Sequence, residues 1–185
     1  MIETNRLILR PMTEADKPWA AAQCADPQVM ALLGGPQTRE ASDERIDKMI
    51  RLQAERGFSF FGLFRKADGR PIGLCGLKLF DAEGATLPGE VEIGWRLDKD
   101  CWGQGYAREA ASASLDFAFG TVGAPLVIAI TSQRNAASWG LMRRLGMTRR
   151  PDLDFNDPRF GPEDNPTILH LIEAKDWEVG AWKTA

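Results

Sequence analysis

A short glycine loop lies where a predicted strand gives way to a predicted helix. The loop is Gly103-Gln104-Gly105, and the helix is expected to begin at Ala107. Backbone N–H groups at the start of a helix have no partners within it, and the helix dipole adds partial positive charge there. Such a loop can hold a phosphate or diphosphate on its amides. The pattern predicts an enzyme that uses a nucleotide cofactor.

Two widespread phosphate-binding motifs fit this loop poorly. In a dinucleotide-binding motif the third glycine would fall at Arg108, and the loop follows an antiparallel hairpin instead of opening the chain. The Walker pattern GxxxxGK[ST] is absent from the sequence. A plain alternative is a strand-to-helix turn that needs positive φ and binds nothing. The loop alone leaves these alternatives open.

Composition and charge exclude several classes of protein. The 185 residues suit one domain, which we place over residues 1–185. Hydrophobic residues make up 44% and charged residues 26%, as in an ordinary globular protein. The formal net charge of −3 gives no electrostatic reason to expect nucleic acid as a partner.

The cysteines and the N-terminus indicate a cytoplasmic protein without a metal. Cys24, Cys75 and Cys101 are far apart, and with the single His170 they supply too few ligands for zinc. Unpaired thiols are typical of a reducing compartment. The first residues, MIETNRLILRP, contain no apolar segment typical of a signal peptide. No run approaches the roughly 18 apolar residues of a membrane span, so we expect no membrane association.

The elements that would position the glycine loop form a mixed α+β sheet. Apolar runs and turn signals predict strands and helices in the order β-α-α-β-β-β-α-β-α-β. Strands are expected at about 6–10, 58–65, 71–80, 90–97, 126–131 and 167–173, and helices at about 13–24, 38–56, 107–119 and from 135. The second and third strands should form an antiparallel hairpin. The strand–helix–strand unit makes strands 90–97 and 126–131 parallel.

Several motifs in register give the chain a resemblance to a known superfamily. The loop Trp102-Gly103-Gln104-Gly105-Tyr106-Ala107 is followed, after the next strand, by a helix that opens with Asn135. Residues 4–11 (TNRLILRP), 92–95 (EIGW), 145–147 (LGM) and 176–177 (DW) match further. The chain resembles the GNAT superfamily of acyl-CoA N-acyltransferases, in its ribosomal-protein N-acetyltransferase-like branch, over about residues 3–177. Trp102 departs from the superfamily motif, which has Gln or Arg there, although this branch often carries Trp.

The resemblance implies both the fold and the cofactor. It implies a central sheet of six to seven strands, mostly antiparallel, with one parallel, splayed βαβ pair and flanking helices. In such enzymes the diphosphate of acetyl-CoA rests on the glycine loop, here Trp102, Gly103, Gln104, Gly105, Tyr106 and Ala107. The pantetheine amides bond to the strand backbone near Trp95, Arg96 and Leu97. Asn135 can cap its helix or bond to the pantetheine arm, and the two roles are compatible.

The resemblance also implies direct attack of an amine on the thioester. The amine must first lose a proton, so a carboxylate is required directly or through a water. Members of the superfamily place a glutamate base at the position of Glu92. Glu90 points to the same sheet face by the period of a strand and competes for the role. His170 is an alternative base, but a lone histidine on a central strand is more often a packed residue.

The leaving thiolate calls for a proton donor. Many relatives use a tyrosine where this chain has Met142. Ser138 is the remaining candidate, and it matches a serine of this branch; otherwise it is a hydroxyl of the first helical turn. The acidic loop 151–166 could attract a cationic amine, or it could simply face water.

We therefore expect a cytoplasmic acetyl-CoA-dependent N-acetyltransferase. Its acceptor would be a primary amine, at a protein N-terminus or on a small molecule. A homodimer is possible, and the sequence leaves this open. One alternative is a non-catalytic acyl-CoA-binding protein that keeps the fold, supported by the missing tyrosine at Met142. Another is a nicotinamide-dependent oxidoreductase.

Overall fold

The structure, a computed structural model, describes residues 1–179 and contains one mixed β-sheet with flanking helices. In this part of the chain the strands are β1 Ile2–Glu3, β2 Leu7–Pro11, β3 Phe60–Arg65, β4 Pro71–Leu79, β5 Val91–Leu97, β6 Leu126–Ser132, β7 Thr148–Arg149 and β8 Thr167–Glu173. The helices are α1 Lys17–Ala25, α2 Pro27–Met30, α3 Arg39–Arg56, α4 Tyr106–Phe117 and α5 Ala136–Arg144.

The strand order in the sheet is β1-β2-β3-β4-β5-β6-β8-β7. Neighbours are antiparallel in the described registers except β5 and β6, which run parallel, so the predicted fold class is confirmed. The expected six to seven strands are a miscount, because the described residues form eight. The unforeseen strands, Ile2–Glu3 and Thr148–Arg149, contain two residues each. Two residues are too few to show a period in the sequence.

The described chain divides into two compact units, each built from two segments. Unit 1 contains residues 1–76 and 95–113, and unit 2 contains residues 77–94 and 114 onwards. The expectation of one domain over residues 1–185 stays a prediction, and its last residues, 180–185, lie outside the described part.

Unit 1 packs helices α1 and α3 against apolar side chains of its strands. Thr38 caps α3 by accepting a hydrogen bond from the Ala41 N–H, and Gly57 ends the helix in the left-handed region. A buried cluster joins the helices to the strands; its members are Met12, Ala20, Ile46, Met49 and Leu74.

Unit 2 contains the parallel strand pair. Val91 lies opposite Val127 and Glu92 opposite Ile128. Strand β6 then pairs antiparallel with β8 from Leu126↔Glu173 to Ser132↔Thr167. Its apolar core consists of Phe80, Ala82, Ile128, Phe155, Leu169 and Leu171. The continuous apolar sequence of β6 is buried over most of its length, as is typical of a strand that is covered on both faces.

Within residues 1–179 the helices are either too short or too polar to cross a membrane. In the same part of the chain, no group of three or more acidic, histidine or cysteine side chains could hold a metal ion.

Candidate active site

The glycine loop has the backbone shape that an anion site needs. Gly103 and Gly105 have φ values of +71° and +82°, and with Gln104 they are exposed. A Cβ atom on Gly103 would meet nothing within 4 Å. The Glu109 N–H donates to the Gly105 carbonyl at 3.1 Å, which closes the first turn of α4. The amides at this helix start and the open space over Gly103 fit a diphosphate group.

The side chains of Trp102 and Gln104 donate hydrogen bonds to backbone carbonyls that precede this loop. The Trp102 indole N–H donates to the Leu97 carbonyl at 2.9 Å, while 52% of the residue is exposed. The Gln104 side-chain amide donates to the Asp100 carbonyl at 2.7 Å. The first bond connects the loop to the end of β5, and the second connects it to the turn at residues 99–101 that follows the strand. Trp102 therefore offers an exposed aromatic face beside the glycines.

The strand positions before the loop differ in what they expose. Trp95 is half-buried, whereas Arg96 and Leu97 are buried. The Arg96 Nε donates to Gln23 Oε1 at 2.8 Å, and burial lowers the pKa of the guanidinium. The side chains of Arg96 and Leu97 are enclosed by unit 1, so these two residues can offer a ligand only their backbone.

Glu92 is the buried carboxylate of the parallel strand pair. It is 7% exposed, and its Oε2 lies 3.0 Å from the Nζ of Lys78 on β4. Oε2 has no partner in hydrogen-bond geometry among the described residues, so the contact is an ion pair only. Burial raises the pKa of Glu92, and the Lys78 ammonium offsets this only in part. A carboxyl group with a raised pKa is suited to accept a proton near neutral pH.

Glu90 competes weakly with Glu92. It directly precedes β5, is only half-buried, and uses its backbone carbonyl to accept a hydrogen bond from the Phe80 N–H at 2.8 Å. The buried position belongs to Glu92.

The Asn135 side chain caps helix α5. Its Oδ1 accepts a hydrogen bond from the Ser138 N–H at 3.2 Å, so the capping role is realised. Ser138 is half-buried in the first turn of the helix. Met142, where many relatives have a tyrosine, is 1% exposed and belongs to the core.

His170 is buried in the sheet, and carboxylates of the acidic loop 151–166 form ion pairs or hydrogen bonds with nearby residues. His170 is 2% exposed on β8, opposite Ala129 and Arg149, and burial lowers its pKa. Carboxylates of the loop are bound by basic or hydroxyl groups nearby. The pairs are Asp152 with Arg150, Asp154 with Arg149, Asp157 with Arg159, and Asp164 with Ser132. These pairs neutralise much of the negative charge with which the loop could attract an amine.

Sequence reasoning missed Lys78. The bond from Phe80 to the Glu90 carbonyl aligns β4 with β5 and brings Lys78 to Glu92. Alternation along both strands could have suggested such a pair, but the intervening loop 81–89 leaves the register undefined in the sequence.

The chain matches the family "Acetyltransferase (GNAT) domain" over residues 6–148. It is 29% identical to the FsC-acetyl coenzyme A-N(2)-transacetylase of Aspergillus fumigatus, over 95% of this chain and 77% of that protein. An acetyltransferase structure from Agrobacterium tumefaciens superimposes with a TM-score of 0.79 at 27% identity, covering 93% of each chain.

A structure of spermidine N-acetyltransferase from Vibrio cholerae in complex with CoA and spermine gives a TM-score of 0.74. It covers 94% of this chain and 98% of that one, and at 15% identity it shows the fold alone. Together with the family match over most of the chain, these comparisons place it: the protein belongs to the GNAT family and is an acyl-CoA-dependent acetyltransferase.

Proposed function

We propose that the protein transfers the acetyl group of acetyl-CoA to a primary amine, with Glu92 as the base. The observation that carries this proposal is the buried Glu92 carboxyl group, whose pKa is raised by burial beside Lys78. The buried Oε2 of Glu92 has the Lys78 ammonium 3.0 Å away but no partner in hydrogen-bond geometry among the described residues.

The amides from Gly103 to Ala107 would hold the diphosphate of acetyl-CoA. Positive φ at Gly103 and Gly105 and their exposure support this assignment. The backbone of Trp95, Arg96 and Leu97 would bind the pantetheine arm, and the exposed Trp102 lies beside the loop. When bound, acetyl-CoA supplies a thioester, whose acyl group is open to attack by a neutral amine.

Glu92 would take a proton from the acceptor ammonium, directly or through a water. At neutral pH a free alkylamine is mostly protonated, so proton removal precedes attack. The raised pKa makes Glu92 a better proton acceptor than an exposed glutamate. The Lys78 ammonium stabilises the ionised form of Glu92, and this form is the one that can act as a base.

Ser138 would donate a proton to the leaving thiolate. Its hydroxyl lies in the first turn of α5, and Asn135 fixes that turn by capping it. Asn135 would also bond to the pantetheine arm. Because Met142 supplies no hydroxyl, Ser138 would serve as the proton donor, a role that a tyrosine has in many relatives.

The acceptor would be a protein N-terminus or a small-molecule amine, and the protein would work in the cytoplasm. The match of residues 4–11, 92–95 and 102–110 to the ribosomal-protein branch favours a peptide α-amine. The name of the Aspergillus relative specifies an N(2) position, which supports a small-molecule amine as the other class.

Thiol release from acetyl-CoA in the presence of amines tests the proposal. The purified chain is mixed with a panel that contains short peptides with free N-termini, amino acids and polyamines. Glu92→Gln should lower kcat by about 10²–10⁴-fold with the preferred amine. Glu90→Gln is the matched control and should leave the rate near wild type. If the Glu92→Gln rate equals that of the control, the assignment of the base is wrong. If the wild-type chain binds NAD(H) and not CoA, the whole proposal is wrong.

A further inference from the structure

Two distant segments of unit 1 meet at the glycine loop. The Glu109 carboxylate, in the first turn of α4, accepts hydrogen bonds from three groups of the N-terminal segment. Its Oε1 accepts from the Thr4 hydroxyl at 2.6 Å and from the Arg6 backbone N–H at 2.7 Å. Its Oε2 accepts from the Arg6 Nε at 2.6 Å. We call Thr4, Arg6 and Glu109, with the Gln104 carbonyl, the Arg6 brace.

The guanidinium of Arg6 also lies directly on the loop. Its Nη1 donates to the Gln104 carbonyl at 2.8 Å, and its centre is 4.4 Å from the centroid of the Tyr106 ring. A Cβ atom on Gly105 would come within 3.3 Å of the Arg6 Nη2. One planar group therefore binds Glu109 through one edge and the loop carbonyl through another.

The bond to the Gln104 carbonyl determines where an amide of the loop points. In a planar trans peptide the C=O of one residue and the N–H of the next point in opposite directions. Arg6 holds the Gln104 carbonyl towards itself, so the Gly105 N–H is turned to the opposite side. Gly105 has no Cβ and adopts φ +82°, so side-chain sterics restrict this peptide little, and the bond from Arg6 supplies a restraint on it.

Arg6 also balances a charge at the helix start. Glu109 has a side chain that is only 10% exposed, and its carboxylate would repel an anion bound at the same helix terminus. Burial alone would raise the pKa of Glu109, but the bonds from Thr4 and Arg6 outweigh it and lower the pKa. The carboxylate is thus charged, directed towards the N-terminal segment and compensated there.

We propose that Arg6 is a positioning residue that sets the Gln104–Gly105 peptide for binding of the CoA diphosphate. The inference rests on the proposed function, because it takes this loop as the diphosphate site. An exposed ion pair alone would contribute little. The two-edged contact of Arg6, and its bond to a loop carbonyl, give it a role in ligand binding that such a pair lacks.

The test compares two ligands that differ in the diphosphate half. Dissociation constants of coenzyme A and of pantetheine are measured by calorimetry on wild type, Arg6→Met and Arg6→Lys. We expect coenzyme A to bind at least tenfold more weakly to Arg6→Met, with pantetheine binding unchanged. Arg6→Lys should resemble Arg6→Met, because an ammonium cannot hold both Glu109 and the Gln104 carbonyl in fixed geometry. Arg39→Met is the matched control, since Arg39 forms an exposed pair with Asp43 on α3.

Each other outcome contradicts the proposal in a distinct way. Wild-type affinity in Arg6→Met shows that the loop needs no brace. Full rescue by lysine indicates a direct charge contact with phosphate. Equal loss of coenzyme A and pantetheine affinity indicates general damage to the fold. If Arg6→Met fails to fold, the same two dissociation constants measured on Arg6→Lys still test the proposal. Failure of wild type to bind coenzyme A contradicts the proposed function itself.

Discussion

The ammonium of Lys78 lies 3.0 Å from Oε2 of Glu92 and 2.6 Å from Oδ1 of Asp81. Burial alone would lower the pKa of Lys78, but the two carboxylates outweigh it and raise the pKa. Lys78 is therefore charged at neutral pH. It is also the main favourable charge near Glu92, where burial opposes ionisation.

Lys78→Met should move the acidic limb of the pH profile of kcat/KM to higher pH. Without the ammonium, the pKa of Glu92 rises further, and a larger fraction of the base is protonated at neutral pH. Activity should fall at pH 7 and recover at pH 9. The measurement is thiol release across pH 5.5–9.5. The exposed Lys175→Met is the control, and an unchanged midpoint in Lys78→Met would show that Lys78 does not tune the base.

His170 should make the fold less stable in mild acid. Its pKa is lowered first by burial and then by the charge of Arg149, with Asp154 opposing and Arg143 adding to the decrease. The unfolded chain therefore binds a proton that the folded chain rejects, and stability falls as pH drops through 6.5 towards the folded pKa. The slope is at most about 1.4 kcal/mol per pH unit. Urea unfolding at pH 7.5 and 5.5 should show a smaller pH dependence in His170→Gln than in wild type. Equal dependence in the two proteins contradicts this assignment.

Asp16 should stabilise the N-terminal helix at neutral pH. Burial alone would raise its pKa, but bonds from Arg10 and from the Thr13 N–H and hydroxyl lower it to about 2. This contribution is present above the ordinary value of 3.8 and is lost as pH falls through about 2. Asp16→Asn should lower the free energy of unfolding by roughly 2 kcal/mol at pH 7.

The difference between Asp16→Asn and wild type should shrink below pH 4, because the unfolded wild-type chain then takes up a proton that the folded chain, with the pKa of Asp16 at about 2, still rejects. Urea midpoints at pH 7, 4 and 3 measure it. Asp43→Asn, which removes an exposed pair with Arg39, should change the pH 7 midpoint little. If Asp16→Asn behaves like this control, the contribution assigned to Asp16 is wrong.

Gly73 should tolerate no side chain. A Cβ atom there would lie 2.3 Å from the Arg96 carbonyl oxygen and 2.8 Å from the Leu97 Cα, and φ is +154°. Backbone atoms of β5 would have to move, so Gly73→Ala should cost about 2–3 kcal/mol of unfolding free energy. Gly120→Ala is the control, because its Cβ would meet nothing within 4 Å. Equal thermal midpoints for the two variants would contradict the predicted clash.

The longer elements and the parallel pair followed from the sequence because each carries a local signal. Helix α3 has its cap at Thr38 and its end at Gly57, and strands β4 and β5 are apolar over most of their length. The parallel direction of β5 and β6 followed from the strand–helix–strand order of that segment. Strands β1 and β7 carry no such signal, since their pairing partners rather than their own residues define them.

The candidate site was predictable only where a motif is contiguous. The glycine loop and the helix cap at Asn135 are each indicated by neighbouring residues. Lys78 is assigned by the register between β4 and β5, and Arg6 by a contact with Glu109 across 103 positions. Nothing local in the sequence specifies either contact.

That separation has a consequence for how the chain folds. A contact between residues 6 and 109 closes a long segment, and such contacts form late because their entropy cost is met only after intervening structure is in place. A refolding chain would acquire its helices first and its affinity for coenzyme A last. Conversely, local unfolding of β1 and β2 would free the glycine loop from Arg6 while most of the sheet stays intact.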